Sequence, residues 1–178
     1  MPNTKKPSAK SILAQTMTDL LHKKPFQKIS VNELCETANL SRSAFYANFE
    51  DKYQLFAYCM EEKHTDLETI MSTHSPQDFL TVILDFLQSE DRFFYHAFGF
   101  SHDEEVAEIF YRFFARQLTA LLEEKAGKGD PLPGPIDLVS AFYIGGLVQM
   151  VSRWVKSNYK LPKEEVAACQ YRLLKDIV

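Results

Sequence analysis

Arg42, Ser43, Tyr46 and Asn48 carry hydrogen-bonding heads within one short stretch of a chain of 178 residues. The stretch runs Ser30 to Leu55, SVNELCETANLSRSAFYANFEDKYQL. Its apolar residues, Val31, Leu34, Ala38, Leu40, Ala44, Phe45 and Phe49, fall where two short crossing helices bury side chains against each other. Ala38 and Ala44 are small, so the helix axes approach closely. That phase leaves Arg42, Ser43, Tyr46, Ala47 and Asn48 on the outer edge of the second helix. Such an edge fits a DNA major groove, where N-terminal helical residues face the bases.

Local signals set these helices. Ser8 to Lys24 is amphipathic, with Ile12, Leu13, Met17, Leu20 and Leu21 at three- and four-residue steps, and Pro25 stops it. Ser30 to Glu33 reads as a capping box with reciprocal side-chain bonds. Asn39 tolerates a positive φ at the tight turn. Ser41 caps the second helix, which is expected to reach about Phe49. Asp51, with Gln54, opens a longer amphipathic helix. Ser75-Pro76 and the box Ser101 to Glu104 start two more. The stretch 128–135 is a loop by composition, Ile136 to Ser157 is strongly apolar, and Pro162 opens a last helix. No strand-like alternation of useful length occurs. The expected fold is all-α with about nine helices: an N-terminal three-helix helix-turn-helix domain over 1–50, a linking helix over 51–72, and a C-terminal helical domain over 73–178.

Charge is uneven. The chain carries −4 overall, yet residues 1–28 sum to +5 and residues 61–178 to −7. Attraction to phosphate follows the local surface, so a basic end on an acidic body suits oriented docking on DNA. A few lysines on a solvated face is the alternative.

Other chemistry finds no support. The histidines are His22, His64, His74, His96 and His102, with no i, i+4 pair, no HExxH and no Asp-rich calcium loop. There is no GxGxxG, Walker-type lysine loop or GxSxG, so neither an enzyme nor a metal or other cofactor is expected. Cys35, Cys59 and Cys169 are odd in number and far apart, which points to a reducing cytoplasm. The first ten residues lack the apolar core of a signal peptide. No apolar run is expected to reach the ~20 residues of a membrane span, so no membrane partner is expected.

Residues Lys6 to Glu62 resemble the DNA-binding domain of the TetR family of bacterial regulators. The resemblance rests on the aliphatic first helix, the Ser cap before the second, and the run Phe45-Tyr46-Ala47-Asn48-Phe49-Glu50-Asp51-Lys52-Tyr53-Gln54-Leu55. Gly145 to Ala167, GGLVQMVSRWVKSNYKLPKEEVA, resembles the end of a TetR subgroup related to the dihydroxyacetone-kinase activators. The resemblance implies that Tyr46 and Lys52 meet backbone phosphates, Lys52 aided by the amides of its helix N-terminus. It implies that Arg42 and Ser43 reach bases, that Ser30, Asn32 and the N-terminus of the first helix touch the flanking backbone, and that Ser41 lies on the DNA side. Asn48 stands where many members have His, and Asn39 where many have Gly.

The same resemblance implies a homodimer paired through the last two helices. Gly145 and Gly146, with Met150 and Trp154 further along, supply a close-packing face; a buried intramolecular helix is the alternative. A two-fold dimer reads a pseudo-palindrome with half-sites ~34–36 Å apart or a multiple of that. A small-molecule effector is implied, and Phe86, Phe94, Tyr95, Phe98, Phe110 and Phe114 are candidates to line its pocket, with plain core the alternative for most of them. Double-stranded DNA is the expected partner and repression the expected output. The competing expectation is a helical protein-interaction module, or coactivator, with weak or no DNA binding.

Overall fold

The computed structural model describes residues 7–71, 79–98 and 103–175. Among them are nine α-helices and no strand: α1 Ala9–Leu21, α2 Val31–Ala38, α3 Arg42–Tyr46, α4 Lys52–Met71, α5 Phe79–Ser89, α6 Asp91–Phe98, α7 Glu104–Gly127, α8 Ile136–Lys156 and α9 Lys163–Leu174. A 3-10 turn, Phe26–Lys28, joins α1 to α2.

Short polar residues start these helices. Ser8 accepts from the Ser11 amide and begins α1. Ser30 accepts from Glu33 N at 3.2 Å and begins α2. The expected return bond from Glu33 is absent, because its carboxylate pairs with Lys24 instead. Asn39 ends α2 in the left-handed region at φ 52°, where its amide reaches back to the last turn of α2. Ser41 then caps α3 through Ala44 N. α3 is shorter than expected: Ala47 and Asn48 close it in a turn, the Asn48 amide bonding back to Ala44 O at 2.7 Å. Asp51 accepts from Gln54 N at 2.8 Å, while the Gln54 side chain accepts from Glu50 N. The start signal at Ser75-Pro76 lies outside the described residues. At α7 the cap is Asp103, which accepts from Glu105 N and Val106 N; Ser101, expected to serve, lies outside the described residues.

α1, α2 and α3 pack around Leu13, Met17, Leu21, Leu34 and Phe45, all fully buried. This unit rests on α4 and on the C-terminal helices. Phe56 of α4 stacks on Phe93 and meets Phe110 edge-on, so one continuous core joins the N-terminal helices to α6 and α7. Polar contacts cross the same boundary. Glu90, between α5 and α6, bonds Lys63 of α4 at 2.9 Å and lies 3.4 Å from His22 beyond α1. His96 Nδ1 sits 2.6 Å from the Leu21 carbonyl at the end of α1.

Phe86, Phe94 and Phe110 belong to this core rather than to a pocket. Phe94 meets Phe86, Phe93 and Phe110 ring to ring, with centroids 5.2–6.2 Å apart. Edge-on rings at these distances fill one another's space. Tyr95 and Phe114 are half-buried at its margin, and the side chain of Phe98 lies outside the described residues. A recess of about 50 Å³ between α4 and α7 contains none of the six and is well below the ~300 Å³ of ordinary ligand sites.

α8 corrects a second expectation. It is 21 residues long with mean hydropathy 1.3 over its most apolar window, long and apolar enough to cross a membrane by length and composition alone. Its charges, Asp137, Arg153 and Lys156, sit only near its two ends. Here it packs on α7 and α6. Trp154 lies on that packed side, 4% exposed, with its indole N–H on Leu161 O at 2.9 Å and its ring edge-on to Tyr159. It is therefore packed into the core of its own chain. The opposite side of α8 is apolar and open: Phe142 is 75% exposed and Leu138 is 65%.

Candidate nucleic-acid interface

The α2–α3 pair presents one polar edge. Phe45 is fully buried and meets Phe49 and Tyr46 ring to ring, which fixes the rotation of α3. One residue on, Tyr46 is 50% exposed. Ser30, Asn32, Ser41, Arg42, Ser43 and Asn48 are exposed as well. Seven of the eight residues expected at DNA thus share an open surface.

Two helices meet within that surface. The Arg42 guanidinium donates to Asn32 Oδ1, extends a second N–H toward the Tyr46 hydroxyl at 3.4 Å, and lies 5.6 Å from that ring's centre. Arg42 is held from both sides, by α2 and by its own helix one turn later. A cleft of about 550 Å³ opens beside it, lined by Asn32, Cys35, Glu36, Asn39, Leu40 and Ser41. The arrangement offers a planar fork of N–H donors at a helix N-terminus, the geometry that reads paired acceptors on guanine.

Lys52 departs from the others. Its ammonium donates to the carbonyls of Phe26 and Ile29, at 3.2 and 3.1 Å, and lies 4.4 Å from the Phe26 ring centre. Burial pulls its pKa below the usual lysine value, with the Asp103 carboxylate partly opposing. The lysine expected on a backbone phosphate is turned onto the turn before α2, because the first turn of α4 packs there.

The basic end resolves residue by residue. Lys5 and Lys6 lie outside the described residues. Lys10 sits 4.1 Å from the Tyr58 ring centre, and Lys24 pairs with Glu33. Lys23 and Lys28 are exposed. Among the described residues no three His, Cys, Asp or Glu side chains gather into a possible metal cluster.

Sequence reasoning missed two contacts. Asn32 was expected on the DNA backbone, not on Arg42; the two lie ten positions apart, and no spacing rule links them. Tyr53, silent in the sequence, donates its hydroxyl to Asp103 Oδ2 at 2.8 Å. The only available signal was the acidic cap before Glu104.

Known proteins place this surface in context. The family described as "Bacterial regulatory proteins, tetR family" matches residues 12–59, and that described as "Transcriptional regulator C-terminal region" matches residues 74–176. No curated protein matches significantly. Among solved structures, a TetR transcriptional regulator from Streptococcus agalactiae 2603V is similar at TM-score 0.72 and 18% identity, over 93% of each chain. The "Dihydroxyacetone kinase operon activator DhaS" is similar at TM-score 0.63 and 18% identity, over 95% of this chain and 96% of that one. The "fatty acid degradation regulator FadR from Bacillus halodurans" is similar at TM-score 0.66 and 16% identity, over 96% of each. At these identities the likeness is one of fold.

Proposed function

Because the chain belongs to the TetR family of bacterial transcriptional regulators, we propose that it binds a pseudo-palindromic operator as a homodimer and answers to a small-molecule effector. Ser30, Asn32, Ser41, Arg42, Ser43, Tyr46 and Asn48 form the DNA side, with Arg42 and Ser43 at bases and Tyr46 on a phosphate. Lys52 holds the turn that presents α2. The observation that carries this reading is the division of α3: Phe45 sealed in the core, Arg42 and Tyr46 open on the other edge. A dimer seated on a promoter excludes polymerase sterically, so repression is the proposed output, exerted in the cytoplasm.

Gly145 and Gly146 support the homodimer. Each costs ~1 kcal/mol against alanine inside a helix. Among the described residues, nothing beyond their own stretch of helix lies within 4 Å of where their Cβ atoms would stand, so none of those neighbours needs them small. They lie on the exposed side of α8 with Leu138 and Phe142, and Met150 stands half-buried further along the helix. A close approach by the same helix of a second copy supplies the missing reason.

The effector reading carries a condition. The aromatic rings are packed, so the effector must favour an arrangement in which they part, and it shifts the equilibrium only by its differential affinity for that state. α4 links the two regions and is the element such a change would move.

The test is a binding titration on randomised duplex DNA over a range of salt, followed by selection of the tightest sequences. A regulator shows affinity falling steeply with salt as counterions are released, and an enriched two-fold sequence. Negligible binding at every salt concentration would favour the protein-interaction module and overturn the reading.

A further inference from the structure

Asp103 stands where two regions of the fold touch, and both its oxygens are engaged. Oδ1 accepts from Glu105 N at 3.1 Å and Val106 N at 3.4 Å, capping α7. Oδ2 accepts the Tyr53 hydroxyl at 2.8 Å, from the first turn of α4. The carboxylate holds the Tyr53 phenol protonated, its pKa raised to about 12.

From Tyr53 a short chain of contacts leads to the DNA side. The Tyr53 ring meets Phe26 edge-on at 5.2 Å. Lys52, its neighbour, grips the carbonyls of Phe26 and Ile29. Ile29 precedes Ser30, the cap of α2, and Asn32 of α2 holds Arg42. Each link is a hydrogen bond, a packed ring or the backbone between adjacent residues, so a rotation at one end strains the next.

We propose that Asp103 is a positioning residue for DNA reading: its bond to Tyr53 ties the start of α7 to the turn that sets α2, and so fixes where Arg42 points. The inference rests on the DNA-reading role proposed for Arg42. α7 packs along α8 and α4, so any rearrangement of the C-terminal helices that moves its first turn breaks this bond or drags Tyr53 with it.

Tyr53→Phe tests the proposal, because it keeps the ring on Phe26 and removes only the hydroxyl. Asp103→Ser is the second variant: its hydroxyl still caps α7, and it lacks the second oxygen that accepts from Tyr53. Hydrogen exchange on the full-length free protein is the first measurement. Both variants should speed exchange of the hydrogen-bonded amides at the two helix starts, Glu33 and Leu34 of α2 and Gln54 and Leu55 of α4, by about fivefold, the factor one hydrogen bond is worth, with α9 unchanged. The double variant should add little to either, since both remove one bond. Unchanged exchange in α2, or an equal rise across the whole chain, overturns the proposal. The second measurement is the affinity ratio between the wild-type-selected duplex and random duplex. It should fall about fivefold while the salt dependence stays the same, since no phosphate contact is lost. A salt dependence that changes with the ratio overturns the positioning role. If the wild-type chain binds no duplex at all, the DNA reading fails, while the exchange experiment still decides whether the bond positions α2.

Discussion

Asn32 Oδ1 accepts a hydrogen bond from the guanidinium of Arg42, tying the first turn of α2 to the first residue of α3. Arg42 leans the other way on Tyr46. A long side chain on an exposed edge ordinarily loses ~2 kcal/mol of rotamer freedom when a ligand immobilises it. Here part of that ordering precedes any encounter with DNA.

Discrimination should therefore depend on Asn32 as well as Arg42. Arg42→Ala is expected to relax preference at one base position in each half-site by ~1–3 kcal/mol. Asn32→Ala should relax the same position, by less, and leave binding to random duplex nearly unchanged. Competition between the selected duplex and its single-position variants measures both. Loss of preference at a different position would separate the two residues.

The two sides of α8 should respond differently. Phe142→Glu places a charge on the open face and is expected to yield a folded monomer at micromolar concentration, read by sedimentation with helical content unchanged. Trp154→Ala removes a ring that is 4% exposed and should destabilise the fold by roughly 3–5 kcal/mol, read by urea unfolding. A Phe142→Glu chain that stays dimeric would place the pairing face elsewhere.

Lys52→Met keeps much of the aliphatic stem and removes the ammonium from the Phe26 and Ile29 carbonyls. The expected cost is about 1.5–3 kcal/mol in unfolding free energy, the range for bonds made by a charged donor. The salt dependence of DNA binding should change little. A fall in that slope by about one phosphate's worth would instead put Lys52 on the DNA.

Tyr53 predicts an alkaline dependence. Its phenol pKa is raised from 10.0 to about 12, chiefly by the hydrogen bond to Asp103 and then by burial. In the interval between the two values the folded state binds the proton more tightly than the unfolded state does, so stability falls as pH rises. The contribution is complete below pH 10 and is lost as pH climbs through about 12. Tyr58 and Tyr159 are shifted upward too, so the quantity to follow is the stability difference between wild type and Tyr53→Phe. That difference should shrink from about pH 10 upward; a constant difference would mean that the hydroxyl bond does not hold the proton.

Local chemistry was legible in the amino-acid order. The caps Ser30, Ser41 and Asp51, the left-handed Asn39, and the split of α3 into a buried Phe45 and an open Tyr46 all follow from bonds or periodicities spanning four residues or fewer. Such signals survive without knowledge of the rest of the chain, and they were sufficient for the helices and the polar edge. The tertiary arrangement decided what spacing cannot express. It turned Lys52 onto carbonyls 23 and 26 positions earlier, closed the aromatic rings into core, folded Trp154 inward while leaving Phe142 out, and brought Asp103 to Tyr53 across 50 positions. In each case the side chain's type allowed two partners, water or another part of the chain. Only the packing of whole helices determined which of them it met.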